Sequence, residues 1–120
     1  MNLLAEAAFL DFLWQFPDGQ YAANAHYWLG EIYLVEWQAD KQNDMPLEKA
    51  INSFSTVTRK YKSHHKAVDS LLKLGLIEMD KKEWAKAKVL LTELKEKYPN
   101  SSRARIAESK LQGMAQDGLI

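Results

Sequence analysis

The sequence predicts an all-α protein made of repeated helix pairs, and three observations lead to that fold class. First, three similar junctions occur along the chain: FPDGQYA from Phe16, YKSHHKA from Tyr61 and YPNSSRA from Tyr98. Second, the last two junctions are 37 residues apart, and an apolar stripe with helical spacing precedes each of them at that same offset. Third, another segment with helical periodicity follows every junction.

The helices that precede the junctions are predicted from apolar residues at intervals of three and four. Their stripes are Ala5, Phe9 and Phe12; Leu47, Ala50, Phe54 and Val57; and Trp84, Ala87, Leu91 and Leu94. This spacing puts the members of each stripe on one face of a helix. Together with the segments that follow the junctions, it predicts six helices at about 2–15, 20–37, 46–60, 64–80, 83–97 and 101–116.

The repeat has the length and the small-residue pattern of a tetratricopeptide repeat (TPR), which is a helix pair of about 34 residues. Gly75 in the first helix of a pair and Ala87 in the second are expected to face each other, so that the helices approach closely. Pro99 ends one helix, and Ser101 or Ser102 caps the next. The predicted fold is therefore a TPR-like α-α superhelix with about two and a half to three repeats.

One TPR-like domain is expected to cover residues 1–120. Its parts are the second helix of an incomplete repeat (1–15), repeat 1 (16–60), repeat 2 (61–97), the first helix of a third unit (98–116) and a tail (117–120). Repeat 1 is eight residues longer than repeat 2, and the excess predicts a surface loop at 38–46, QADKQNDMP. In each helix pair we call the first helix first-type and the second helix second-type. The opening helix is a second-type helix that is apolar nearly all round, and no first-type partner is seen before it. This suggests a piece of a longer protein, or a helix that pairs with another copy.

The composition excludes several classes of function. Sixteen basic and sixteen acidic residues leave no net charge, which argues against nucleic acid or an anionic membrane as the main partner. The chain has no cysteine, so it has no disulfide framework. The apolar start carries Glu6 and Asp11 and lacks a basic region, so it is not a signal peptide.

No arrangement of residues predicts catalysis or a cofactor. The chain shows no Ser-His-acid pattern with local support, and its five glycines form no phosphate-binding loop. His26 takes a core-side position, while His64 and His65 are adjacent and point about 100° apart on a helix, so no metal is expected. The basic cluster RKYKSHHK, Arg59 to Lys66, either binds an acidic partner or complements the dipole of the helix that ends there.

The first helix of each pair is expected to carry the binding surface, because first helices line the inner face of stacked repeats. The predicted groove consists of Asn24, Tyr27, Glu31 and Leu34 from one repeat and Asp69, Leu72, Leu76 and Met79 from the next, followed by Ile106 and Ser109. Its centre is placed at Tyr27, Leu72 and Leu76, with polar groups at the rim. The alternative is that these side chains pack between neighbouring units.

Two longer stretches carry a family resemblance: NAHYWLGEIY after the first junction, and KLGLIEMDKKEWAKAKVLLTELKEKYPNSSRARIAESKL. They resemble the C-terminal TPR domain of the CpoB (YbgF) family, the periplasmic accessory proteins of the Tol-Pal system in Gram-negative bacteria. The resemblance covers about Ala5 to Met114, and the insertion after Trp37 departs from the family pattern.

The resemblance implies a non-catalytic module that binds TolA and helps coordinate outer-membrane constriction with septal peptidoglycan synthesis during cell division. It also implies a periplasmic location. Members of that family carry a signal peptide and a trimerising coiled coil upstream, so oligomers could form through such a segment or through the first helix. Related repeats occur in outer-membrane assembly lipoproteins of the BamD type, which are the alternative, together with a self-assembling TPR scaffold.

Overall fold

The apolar stripes of the sequence each lie on a helix in the computed structural model, which describes residues 3–120. Within that range the chain forms six helices and no strand: α1 (Leu3–Gln15), α2 (Ala22–Ala39), α3 (Met45–Lys60), α4 (His65–Asp80), α5 (Trp84–Lys97) and α6 (Ser102–Gln116). The all-α prediction and the order of the helices are confirmed. The start of the first helix was placed at residue 2, which lies outside the described residues.

The three junctions share one hydrogen-bond pattern, which explains why their sequences are alike. In each, the aromatic residue's carbonyl accepts from the amide three positions later: Phe16 from Gly19, Tyr61 from His64, and Tyr98 from Ser101. The carbonyl of that third residue then accepts from the junction's alanine, at 3.0, 2.9 and 3.1 Å for Ala22, Ala67 and Ala104. These alanines are buried, and each lies in the first turn of a helix.

The loop in the first repeat is shorter than the 38–46 loop that the sequence predicted. Helix α2 continues two residues past the predicted end, to Ala39. Helix α3 begins at Met45, and Pro46 is tolerated in its first turn because an N–H there would have no intrahelical partner. The connection is therefore residues 40–44. The side chains of Asp40 and Asn43 stabilise it by accepting from the amides of Gln42 and Met45, both at 3.1 Å.

The chain divides into two compact units, with the boundary between Ala67 and Val68 inside α4. In the first unit, α2 packs on α3 around the fully buried ring of Phe54. Gly30 makes this packing possible: a Cβ atom added there would lie 2.6 Å from Cε1 of Phe54. Helix α1 packs on the other side of α2, and Tyr33 ties the two together by donating to Oε1 of Glu6 at 3.1 Å.

The second unit is formed by most of α4 together with α5 and α6. Its core consists of Leu71, Leu72, Ala87, Leu91, Leu94, Ala104, Ala107 and Met114. The prediction paired Gly75 with Ala87, but the side chain nearest to Gly75 is that of Leu91, whose Cδ2 would be 2.6 Å from an added Cβ. Ala87, one turn earlier on α5, is fully buried in the same core.

Candidate partner-binding surface

Three of the four predicted groove residues on α2 keep accessible surface. Asn24, Glu31 and Leu34 are half-buried, but Tyr27 is only 7% exposed. Its ring packs edge-on against Phe54 and Trp28, with centroids 5.6 and 5.2 Å away. Tyr27 is therefore mainly a packing residue of α2, and little of its side chain is accessible to a partner.

The predicted residues on α4 divide in the same way. Leu72 is 8% exposed and belongs to the core, whereas Leu76 and Met79 pack against that core and remain half-buried. Asp69 accepts from Nε of Arg103 at 2.6 Å, which links the start of α4 to α6 within the second unit. Further along the chain, Ile106 and Ser109 are exposed on α6.

Lys66 interacts with the aromatic pair in a way that the sequence did not predict. Its ammonium lies 4.3 Å from the ring centroid of Tyr27 and 4.9 Å from that of Trp28. A cation over two ring faces is favourable because both rings present negative density there. The neighbouring Lys60 forms a salt bridge with Asp18 at 2.8 Å, and this hydrogen bond raises the pKa of Lys60. Two lysines of the RKYKSHHK cluster thus have contacts within the first unit.

The histidines are placed differently from one another. His26 is half-buried beside Tyr61, and burial, followed by the nearby charge of Lys60, lowers the pKa of its imidazole. His64 and His65 stack with ring centroids 4.3 Å apart, and Nδ1 of His64 accepts from the amide of Lys66. Within residues 3–120, no three histidine or carboxylate side chains come together as a metal site. The absence of metal binding stays a prediction.

A concave surface that the sequence did not predict lies between α1 and α2. We call it the α1–α2 groove; its volume is about 540 Å³, and its lining residues are Ala5, Phe9, Trp28, Glu31, Ile32, Val35 and Glu36. No residue along α1, Leu3–Gln15, is buried, although this helix is the most apolar part of the chain. The sequence predicted the apolar stripe of α1, but it did not predict that this stripe would remain accessible beside α2.

Comparison with known families supports the repeat. The tetratricopeptide-repeat family model matches residues 69–101, which cover most of α4, all of α5 and the first four residues of the junction that follows. No curated protein sequence matches the chain significantly. With six helices and this match, the fold is an all-α, TPR-like helical repeat, as the sequence predicted.

The repeat also bears on the type of function. A tetratricopeptide repeat implies a protein–protein interaction module, and such domains are in general non-catalytic. No helix within residues 3–120 has the length and apolar character needed to cross a bilayer.

Proposed function

We propose that this protein is an interaction module of the Tol-Pal system, which binds TolA in the periplasm and helps coordinate outer-membrane constriction with septal peptidoglycan synthesis. The observation that carries the general part of this proposal is the tetratricopeptide match over residues 69–101. The specific part rests on the resemblance of ANAHYWLG and of the YPNS-type junctions to the CpoB family.

The half-exposed side chains of the first-type helices are the proposed contacts for TolA. On α2 these are Leu34, with Asn24 and Glu31 nearby; on α4 they are Leu76 and Met79. Apolar side chains flanked by polar ones suit an amphipathic segment, because the apolar contacts supply most of the affinity and the rim sets orientation and association rate. Methionine adapts its shape to a partner at little cost.

The test is a titration of the protein with the soluble part of TolA. Met79→Ala and Leu34→Ala are each expected to weaken binding by about 1–2 kcal/mol, as truncation of an anchor residue does. The matched control is Val89→Ala, since Val89 is 66% exposed on α5 and lies outside the proposed surface. Equal affinity for the wild type and all three variants would remove α2 and α4 as the binding surface.

Tyr27→Ala needs a separate measurement of folding. Because Tyr27 is buried against Phe54, its truncation is expected to lower the free energy of unfolding as well as the affinity. Circular dichroism in parallel with the titration separates the two effects. Loss of affinity with an unchanged unfolding transition would mean that Tyr27 contacts the partner directly, as the sequence suggested.

A self-assembling scaffold is the second candidate, and the exposed apolar surface of α1 favours it. Leu4 and Trp14 are 87% and 85% exposed, which is unusual for large apolar side chains. Sedimentation over a range of protein concentrations distinguishes the two functions. A protein that stays monomeric at every concentration supports the binding module, and an oligomer that forms as the concentration rises supports the scaffold.

A further inference from the structure

The α1–α2 groove has apolar walls and lies open on one side. Phe9 of α1 and Trp28, Ile32 and Val35 of α2 form these walls. Trp28 is 44% exposed and Val35 is 65% exposed, so the walls are accessible to another molecule. An exposed apolar surface of this kind is typical of a site that binds another protein segment.

The internal repeat shows what kind of element fits the groove. Ala5 and Phe9 occupy the repeat positions of Ala50 and Phe54, 45 residues further along. Phe54 is fully buried because a first-type helix covers it and presents a glycine, Gly30, to its ring. Phe9 has the same position on a second-type helix, yet it is only partly buried and lines the groove.

The second unit follows the same rule. Leu91, at the repeat position of Phe9, is fully buried under Gly75 of α4. In both pairs a Leu-Gly dipeptide stands in the covering helix, as Leu29-Gly30 and Leu74-Gly75. A helix seated over Phe9 would therefore need a glycine, or another small residue, at the point of closest approach.

The charge around the groove indicates the electrostatic character of that helix. Residues 1–40 contain six carboxylates and no lysine or arginine; one cation nearby is Lys66, whose ammonium lies 4.9 Å from the ring of the groove residue Trp28. One of these carboxylates, Glu36, lines the groove and has a buried oxygen, Oε1, with no hydrogen-bond partner within residues 3–120. Glu31 and Glu36 both line the groove, and a lysine or arginine on a bound helix would bring the opposite charge beside these carboxylates.

We propose that the α1–α2 groove binds an amphipathic, cationic helix of a partner protein, with a small residue opposite Phe9 and a lysine or arginine near Glu36. This goes beyond the proposed binding of TolA by α2 and α4. A second copy of the chain fits less well. Its α6 is a first-type helix, but Gln112 stands where α2 and α4 have glycine. Pairing of two α1 helices would bring carboxylates together with no basic residue to offset them.

The probe is a synthetic peptide with the sequence of α4, His65–Asp80, in which Asp69, Glu78 and Asp80 are replaced by lysine. It keeps the Leu-Gly pair that covers Leu91 and adds positive charge. The matched peptide also carries Gly75→Leu. Titration calorimetry with the intact protein is expected to show at least about tenfold tighter binding of the glycine peptide, because a leucine would overpack against Phe9. Affinity is also expected to fall with added salt.

Two protein variants locate the binding. Val35→Lys places a cation in the groove and is expected to lower the affinity of the protein for the glycine peptide by about tenfold or more. Val89→Lys makes the same change at an equally exposed position in the second unit and should leave binding unchanged. Met79→Ala, which is expected to weaken TolA binding, lies outside the groove and should leave binding of the glycine peptide unchanged, so failure here is distinguishable from failure of the proposed function.

Three results would overturn the proposal. Equal binding of the glycine and leucine peptides would remove the small-residue requirement. Unchanged affinity in Val35→Lys would place the peptide elsewhere. A dimer in sedimentation that Val35→Lys dissociates would identify a second copy as the occupant.

Discussion

The contact between Gly30 and Phe54 determines how closely α2 and α3 approach, and Gly30→Ala tests it directly. A single methyl group at position 30 would lie 2.6–2.8 Å from three atoms of the Phe54 ring. That ring is fully buried, so it has little room to move aside. Overpacking of this kind costs about 1–3 kcal/mol. Alanine recovers about 0.5–1 kcal/mol because it is the better helix former.

The net expectation for Gly30→Ala is a loss of about 1–2 kcal/mol in the free energy of unfolding. Gly113→Ala is the matched control, because Gly113 lies in α6 and an added Cβ there meets nothing within 4 Å. It should gain up to about 0.5–1 kcal/mol from helix propensity alone. The two variants carry the same substitution, so the difference between them isolates the contact with Phe54.

Urea unfolding followed by circular dichroism measures both variants. Tryptophan fluorescence reports mainly on the first unit, since three of the four tryptophans, Trp14, Trp28 and Trp37, lie there. The double variant Gly30→Ala/Phe54→Leu should lose less stability than the two single changes added together, because a leucine leaves room for the methyl group. Gly30→Ala with the stability of the wild type or more would refute the packing argument.

Three further predictions concern the histidines and a helix cap. Zinc should leave the melting temperature unchanged, because His64 and His65 have no third ligand among residues 3–120; a clear rise would reveal a bound metal. Burial lowers the pKa of His26 below its ordinary value of 6.5, so the unfolded chain gains its proton first as the pH falls. The free energy of unfolding should therefore drop as the pH falls through 6.5, and less steeply in His26→Gln; equal slopes would contradict this. Ser101→Ala should cost about 1 kcal/mol in urea unfolding, because the Ser101 hydroxyl accepts from the amide of Arg103 at 3.1 Å; no loss would mean that the cap is dispensable.

The sequence predicted the helices and the junctions well, because both depend on local chemistry. Apolar spacing located each helix to within two residues, and the shared junction motif proved to be a shared hydrogen-bond pattern. The end of α2 was missed because nothing local stops the helix at Trp37. Asp40 ends it instead, where its amide bonds to the carbonyls of Glu36 and Trp37.

Contacts between helices were harder to predict, because they depend on the angle and register of packing. Periodicity put Gly75 and Ala87 on facing sides, but it could not show that Leu91 is the side chain that enters the space over Gly75. It also put Tyr27 on the exposed side of α2. There the ring turns towards Phe54, under the ammonium of Lys66, and loses most of its accessible area. The predicted groove residues therefore stay a prediction, with Tyr27 and Leu72 beneath the surface.

The most direct test of the account is a map of the residues that TolA contacts. Backbone amide shifts of the labelled protein, recorded by NMR during titration with soluble TolA, give this map without any substitution. The account predicts that the largest shifts fall on α2 around Asn24 and Leu34 and on α4 around Leu76 and Met79. No shifts at saturating TolA, or shifts confined to α3, α5 and the loop at 40–44, would contradict it.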